Sequence, residues 1–436
     1  MMDLAKKQIR WDPVLKGSLK AQALEAIDAI GRALRNPPRP FIRDNEADER
    51  AGAVEEASLS GGRAGYALLF DYLARTEGNH PDKKYAALYL KDALEAVAEV
   101  QMSASLYSGF TGVAWTAAHL RNRAHDDLSE VDKALYNHVK RSPWKDDYDL
   151  INGLVGFGVY ALERLRNRRA GLSARRCLAR IVNRLEEMAV ETSEGLAWLT
   201  SADLLPEWQR EEAPEGYFNL GLAHGIPGVI AFLGHTYAAG VQRRKTLRLL
   251  QGSVSWLLKQ KLPPDADSCF SSWVGPGIDR GIDRGPSRSA WCYGDPGIAI
   301  ALLSAARCAG EKSWEEEALK IARRTAKRPP DQARVRDAGL CHGSAGLAHI
   351  FNRFYQATGD MIFQKAARFW FERTLQFRQP QKGVAGFQSA FPERNGTVRW
   401  IDDPGLLTGA AGIALALHAA CTDVRPQWDS FLLTRV

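Results

Sequence analysis

The sequence predicts an all-α fold of seven helical hairpins set in two concentric layers, and two observations predict it. The pattern Gly-x-x-Gly recurs seven times, beginning at Gly62, Gly109, Gly153, Gly225, Gly294, Gly343 and Gly409. Each copy opens an apolar run of small residues, and these runs alternate with longer amphipathic segments that carry a charged face. A helix that is apolar all round has to be buried, whereas its amphipathic partner can cover it and face water. Apolar helices therefore line the inside and amphipathic ones the outside.

In chain order, the charged segment 13–35 forms the first outer helix, and 44–56 is a polar connection to the first glycine pair. Further outer helices fall at 81–102, 172–190, 243–261, 312–327 and 360–377, each between two Gly-x-x-Gly copies. The glycines serve sharp entry into the inner helices and close packing around an axis. If the pattern opens every inner helix, all seven turns gather at one mouth. Segments 194–219, 262–290 and 378–403 exceed a turn in length and are rich in Gly, Pro, Trp and charge, so they read as loop or lid insertions over that mouth. Within the second, Gly277 to Gly285 repeats Gly-Ile-Asp-Arg, a pattern expected of a flexible loop. Residues 1–436 are expected to form a single domain.

Composition narrows the function class. The 45% hydrophobic content is that of a globular chain, and the first residues contain no apolar run of signal-peptide type. No stretch approaches the roughly 20 apolar residues of a membrane span, so a cytoplasmic protein is expected. Six cysteines in 436 residues are too sparse for a disulfide scaffold; Cys177, Cys308 and Cys421 lie in helical patterns as ordinary thiols. The net charge of +7 permits an acidic partner, but Lys and Arg are scattered and no nucleic-acid reading motif is present.

The residue before each Gly-x-x-Gly is, in order, Gly61, Ser108, Asn152, His224, Tyr293, His342 and Thr408. One place earlier come Ser60, Tyr107, Ile151, Ala223, Cys292, Cys341 and Leu407. The two cysteines thus hold equivalent positions on consecutive hairpins, which a ring sets side by side. Zinc takes thiolate and imidazole in tetrahedral geometry, and a catalytic site leaves one of about four positions open. Cys292, Cys341 and His342 offer three ligands. A Cys-His dipeptide alone has no ligand spacing; the repeat equivalence is what singles it out.

Four blocks then resemble the signature segments of the lanthionine synthetase C, or LanC-like, family: Tyr148-Asp149-Leu-Ile-Asn152-Gly153-Leu-Val-Gly156, Gly221-Leu-Ala-His224-Gly225-Ile-Pro-Gly228, Arg288-Ser-Ala-Trp291-Cys292-Tyr293-Gly294-Asp-Pro-Gly297 and Cys341-His342-Gly343-Ser-Ala-Gly346. The resemblance runs from about Gly61 to Ala419. It implies an α,α-toroid with one catalytic Zn2+ at its mouth, held by Cys292, Cys341 and His342, with the fourth position open to water or a substrate thiolate. It implies a stand-alone lanthipeptide cyclase that adds precursor-peptide cysteines to dehydroalanine or dehydrobutyrine, forming lanthionine or methyllanthionine.

The resemblance also implies roles in catalysis. His224 corresponds to a proton-transfer histidine, Asp149 to an active-site aspartate, and Arg288 to an arginine that steadies the enolate or holds Asp149; Tyr293 lies in the same block. Each has a plainer reading: His224 as a turn-fixing hydrogen bonder, Asp149 as a helix N-cap, Arg288 as a loop anchor, Tyr293 as a packing residue. Trp291 lines or supports the site, and Asp295 reads as a backbone cap. Implied partners are a dehydrated precursor peptide, a separate dehydratase and a membrane exporter, with peripheral attachment at the membrane in a synthetase complex. Two further function classes stay open: a LanC-like zinc enzyme that adds glutathione to dehydrated residues, and a non-catalytic peptide-binding scaffold. A prenyltransferase-type toroid would instead call for an Asp-Cys-His ligand set.

Overall fold

The computed structural model describes residues 11–40, 49–76, 80–121, 127–167, 169–275, 285–393 and 396–436. The duplicated segment 277–284 lies outside them. In chain order the helices are α1 (Gly17–Leu34), α2 (Glu49–Ala57), α3 (Arg63–Ala74), α4 (His80–Glu99), α5 (Phe110–Leu120), α6 (Ser129–Val139), α7 (Leu154–Arg164), α8 (Gly171–Met188), α9 (Glu207–Glu212), α10 (Ile226–Ala238), α11 (Arg243–Lys259), α12 (Asp295–Ala309), α13 (Lys312–Ala326), α14 (Ser344–Thr358), α15 (Met361–Gln376) and α16 (Ala410–Cys421). The seven helices opened by Gly-x-x-Gly form a closed inner ring, α3–α5–α7–α10–α12–α14–α16, with α16 packed back on α3. The fold is an α,α-toroid.

Pairing of the layers follows burial. Each inner helix packs on the outer helix that follows it, from α3 with α4 to α14 with α15. The last inner helix, α16, has no successor and takes α1, from the other end of the chain. Leu15 N donates to Ala420 O at 3.0 Å and Trp11 Nε1 to Ala419 O at 2.7 Å, so the seventh hairpin is closed by non-covalent contacts alone. The residues of α10 from Ile226 to Gly234 and all of α16 are buried, as helices apolar all round require.

The mouth is a ring of short backbone links between neighbouring turns. Ser60 N donates to Tyr107 O at 3.0 Å, Leu150 N to Ala223 O at 3.1 Å, Ala223 N to Cys292 O at 3.4 Å and Cys292 N to Cys341 O at 3.2 Å. Cys341 N then donates to Leu407 O at 2.8 Å and Leu407 N to Ser60 O at 3.0 Å. The Tyr107 amide donates to Ser105 Oγ at 3.2 Å, and the Ser105 hydroxyl makes the link to the next turn at Ile151 O, 2.8 Å away. Just inside, a buried leucine from one turn packs against the second glycine of the next: Leu59 on Gly112, Leu106 on Gly156, Leu222 on Gly297, Leu340 on Gly412 and Leu406 on Gly65. A Cβ on Gly112 would lie 1.9 Å from Leu106 O and 3.0 Å from Leu59 Cβ, so no side chain fits between the turns.

Among the described residues two α-helices, α2 and α9, lie outside the fourteen that the repeat predicts. Segment 44–56 reads as a connection, yet α2 begins at Glu49, because its Ala- and Glu-rich sequence favours helix without needing an apolar face. The insertions carry short antiparallel strands: β1 (Val190–Thr192) with β2 (Gly195–Ala197), β3 (Leu199–Thr200) with β4 (Tyr217–Asn219) and β5 (Trp273–Val274), and β6 (Ser389–Pro392) with β7 (Val398–Ile401). Strands this short leave little periodicity to read.

After α16 the chain turns into the toroid axis. A 3₁₀ turn (Gln427–Leu432) buries Trp428, Phe431 and Leu432 among the inner helices. Its anchor is Asp429, fully buried, which accepts from His349 Nε2 at 2.8 Å and from Arg353 Nε and Nη2 at 2.5 and 2.6 Å. His349, buried in α14, thus belongs to the core along the axis. Among the described residues no helix is long and apolar enough to cross a membrane.

Gly112→Ala is expected to cost about 1–3 kcal/mol through overpacking, read as a lowered denaturation midpoint. Gly171→Ala, at a position with nothing within 4 Å of a new Cβ, is the control and should be neutral or slightly stabilising.

Candidate active site

Cys292 and Cys341, at the same place on adjacent turns, are joined by their own backbone link, and this brings their side chains together. Their Sγ atoms and a His342 ring nitrogen lie within 4.8 Å of one another. The Cys292 turn departs from the other six: Gly294 has φ +110°, a conformation strained for any other residue, and a Cβ there would sit 1.8 Å from Arg288 O. The first glycines of the remaining turns have ordinary extended φ angles, from −97° at Gly343 to −143° at Gly225.

The sulfurs behave as one unit. Cys292 sits well below the ordinary thiol pKa, chiefly because the Cys341 thiol hydrogen-bonds to it; burial opposes this, and His342 and the Arg288 charge assist. That same bond drives Cys341 well above the ordinary value. Burial pulls His342 down, but Asp337 and the Cys292 thiolate win and push it up to about 10. The three groups thus share their protons as one unit. A divalent cation would displace those protons and take all three donors, so the residues fit a soft metal such as zinc. Asp337, buried, places Oδ2 3.5 Å from His342 Nε2 and accepts the Ala390 amide at 2.9 Å, as an outer carboxylate orienting a ligand histidine does.

On the next turn, His224 Nδ1 lies 2.6 Å from Asp149 Oδ2. The carboxylate is buried while the imidazole is 41% exposed, so the ring opens to the mouth and its partner does not. Burial lowers the imidazole pKa, but the bond and charge of Asp149, then the charges of Cys292 and Asp147, outweigh it and leave the group raised. Asp149 Oδ1 accepts from Asn152 N at 2.7 Å within the turn. It does not cap α7, whose N-cap is Gly153.

Tyr293 packs beside His224, ring centroids 6.2 Å apart, and its hydroxyl accepts from Asn219 Nδ2 at 2.9 Å. Arg288 is half-buried, and its charge acts on both sulfurs. Among the described residues it makes no ion pair with Asp149, so the expected bridge between them is absent. Asp295 serves a different end from a cap: its carboxylate accepts the amides of Cys269 and Phe270 at 2.7 and 3.1 Å and ties the 262–290 insertion down.

Asp337 and Asn219 escaped the sequence reading. Both stand six places before a first glycine, a register that reads Glu56, Ser103, Asp147, Asn219, Arg288, Asp337 and Asp403. Seven polar residues in one repeat position would have flagged it.

The mouth also gathers the N-termini of seven inner helices, whose positive ends favour negative charge. The site thus offers a sulfur-rich metal cradle, a carboxylate-oriented imidazole and a tyrosine held by Asn219 around one opening.

Comparison with known proteins agrees in extent. The family described as lanthionine synthetase C-like protein matches residues 53–433. The nisin biosynthesis protein NisC of Lactococcus lactis subsp. lactis is 25% identical over 318 residues, 69% of this chain and 74% of that protein. A glutathione S-transferase of Danio rerio is 29% identical over 157 residues, 36% of this chain and 34% of its own length. A solved nisin cyclase superposes with a TM-score of 0.72 at 21% identity, covering 96% of this chain and 98% of that one.

Asp149→Asn should lower the His224 pKa, since burial is then opposed by fewer negative charges; NMR titration of the ring reads it. The raised pKa stabilises the fold below about pH 6.5, and this contribution is lost as pH rises through the folded value. The variant should show a flatter stability profile across that window.

Proposed function

The chain belongs to the lanthionine synthetase C-like family, and on that premise we propose that it is a zinc-dependent lanthipeptide cyclase. The observation that carries the proposal is the convergence of Cys292, Cys341 and His342 within 4.8 Å, one turn from the Asp149–His224 pair. Cys292, Cys341 and His342 would hold the zinc, which when bound lowers the pKa of an incoming thiol.

The reaction needs three things of the protein. The thiol proton has to leave, the negative charge formed on the dehydro residue has to be stabilised, and a proton has to arrive at its α-carbon. A C–S bond forms at the β-carbon as the C=C π bond breaks, and the proton count is unchanged overall. His224 suits both transfers. Its Nδ1 is engaged with Asp149, so Nε2 remains for substrate, accepting a proton when neutral and donating one as imidazolium. The raised pKa favours the imidazolium, which is the donor form.

Arg288 and the seven helix N-termini bring positive charge toward the developing enolate. Tyr293, its oxygen engaged by Asn219, keeps its own O–H proton free to donate to a substrate carbonyl. Buried Asp149 orients the imidazole without competing for substrate. Residues 1–436 act as one toroidal domain, with the three insertions bordering the opening. The substrate is a dehydrated precursor peptide, made by a separate dehydratase, in the cytoplasm or at the membrane face beside an exporter.

A second reading, addition of glutathione to dehydrated residues, draws on the likeness to the Danio rerio glutathione S-transferase. The same residues would serve, with a free tripeptide thiol replacing the peptide's own cysteine.

Cys292→Ala, Cys341→Ala and His342→Ala are each expected to lose stoichiometric zinc and ring formation together. The assay is metal content by mass spectrometry, with alkylation of a dehydrated peptide to count free thiols. Full zinc in all three purified variants would remove the assignment. Thiol loss without mass gain supports the cyclase; a gain of one glutathione per dehydrated residue supports the second reading.

A further inference from the structure

The axis of the toroid is closed from below by the chain's own C-terminal segment, and its contacts run upward to the metal cradle. Trp291 precedes the ligand Cys292, and its buried indole Nε1 donates to Leu432 O at 2.9 Å. Tyr107 occupies the same register as the two cysteines on another turn. Its hydroxyl donates to Phe431 O at 3.0 Å, and its ring lies 6.1 Å from that of Trp291. Two consecutive carbonyls of the 3₁₀ turn thus hold two aromatic side chains from the mouth.

The lower end of the segment is as firmly held. Arg353 grips Asp429 through two nitrogens and Pro426 O through Nη2 at 2.7 Å, and His349 bonds Asp429 while stacking on Trp428 at 4.9 Å. Ser304 donates to Arg435 O at 2.9 Å, and the Thr434 hydroxyl to Asp429 O at 3.2 Å. Opposite charges in a dry interior demand full pairing, and burial of Asp429 is offset by Arg353 and His349, which hold its pKa near about 2.

We infer that residues 426–435 are a positioning element of the metal centre, acting through Trp291 and Tyr107 on the turn that carries Cys292. The physical reason is that this turn is the one with Gly294 at positive φ, so its backbone follows a path that its own helix does not impose. The Trp291 side chain is buried and points down the axis, Cys292 points into the mouth, and fixing one side of the turn fixes the other. The segment's Trp428, Phe431 and Leu432 also fill the axis beneath the site. The inference rests on the metal reading above.

The test uses the full chain loaded with cobalt(II), whose thiolate charge-transfer and ligand-field bands report coordination geometry, alongside the rate of zinc release to a chelator. Trp291→Phe keeps an aromatic ring and removes the donor; Tyr107→Phe removes one hydroxyl; Asp429→Asn loosens the segment far from the metal. Each is expected to shift the cobalt bands and to speed zinc release, with affinity falling about tenfold, the lower end of outer-shell effects. If all three folded variants keep wild-type bands and release rates, and only their melting temperatures fall, the segment is a stability element and the inference is overturned. Should Asp429→Asn fail to fold, the other two decide by the same readouts. A wild-type protein that binds no cobalt or zinc overturns the metal reading itself, which separates the two failures.

Discussion

Everything at the mouth depends on the contact between successive turns, where a leucine of one meets the second glycine of the next and a backbone N–H meets a carbonyl. Because that contact repeats around the ring, equivalent residues of neighbouring hairpins are forced into adjacency. A metal site from Cys292 and Cys341 then needs no local ligand spacing in sequence; the ring supplies it. The same contact explains the glycines, since a Cβ at Gly112 would meet a carbonyl at 1.9 Å. Closure is completed only when α1 covers α16, so the cradle depends on both ends of the chain.

The site's electrostatics follow from what surrounds each group. One carboxylate, Asp149, is buried against an exposed imidazole and holds its proton in place. Another, Asp337, faces the ligand histidine and also carries the 389–392 strand through the Ala390 amide. A metal cradle of two sulfurs would be intolerably negative in an apolar core, but this one sits at the positive ends of seven helices with Arg288 beside it. Helix ends and guanidinium both favour anionic sulfur.

The insertions illustrate how a scaffold is adapted. Each is tied to the ring by a polar residue near its turn: Asn219 on Tyr293, Asp295 on the Cys269 and Phe270 amides, Asp337 on Ala390. The insertions are thereby joined to the turns by hydrogen bonds. A change in an insertion reaches the site through one or two hydrogen bonds.

Much of this was legible in the chain alone. The seven-fold glycine pattern and the alternation of apolar with amphipathic segments determined the layered helical fold, because burial of an all-apolar helix has few solutions. Repeat alignment brought Cys292, Cys341, His342, His224 and Tyr293 to one mouth, and the resemblance to the family added Asp149 and Arg288. Other features required the tertiary structure. Which helix covers which, the descent of residues 426–435 into the axis and the bond of Asp149 to His224 depend on contacts between residues far apart in sequence. Asp429 finds Arg353 and His349 across about 80 positions, and no periodicity records such a pairing. Local pattern encodes the faces that must be buried; only the closed ring decides which groups meet there, because geometry, not spacing, sets their distances.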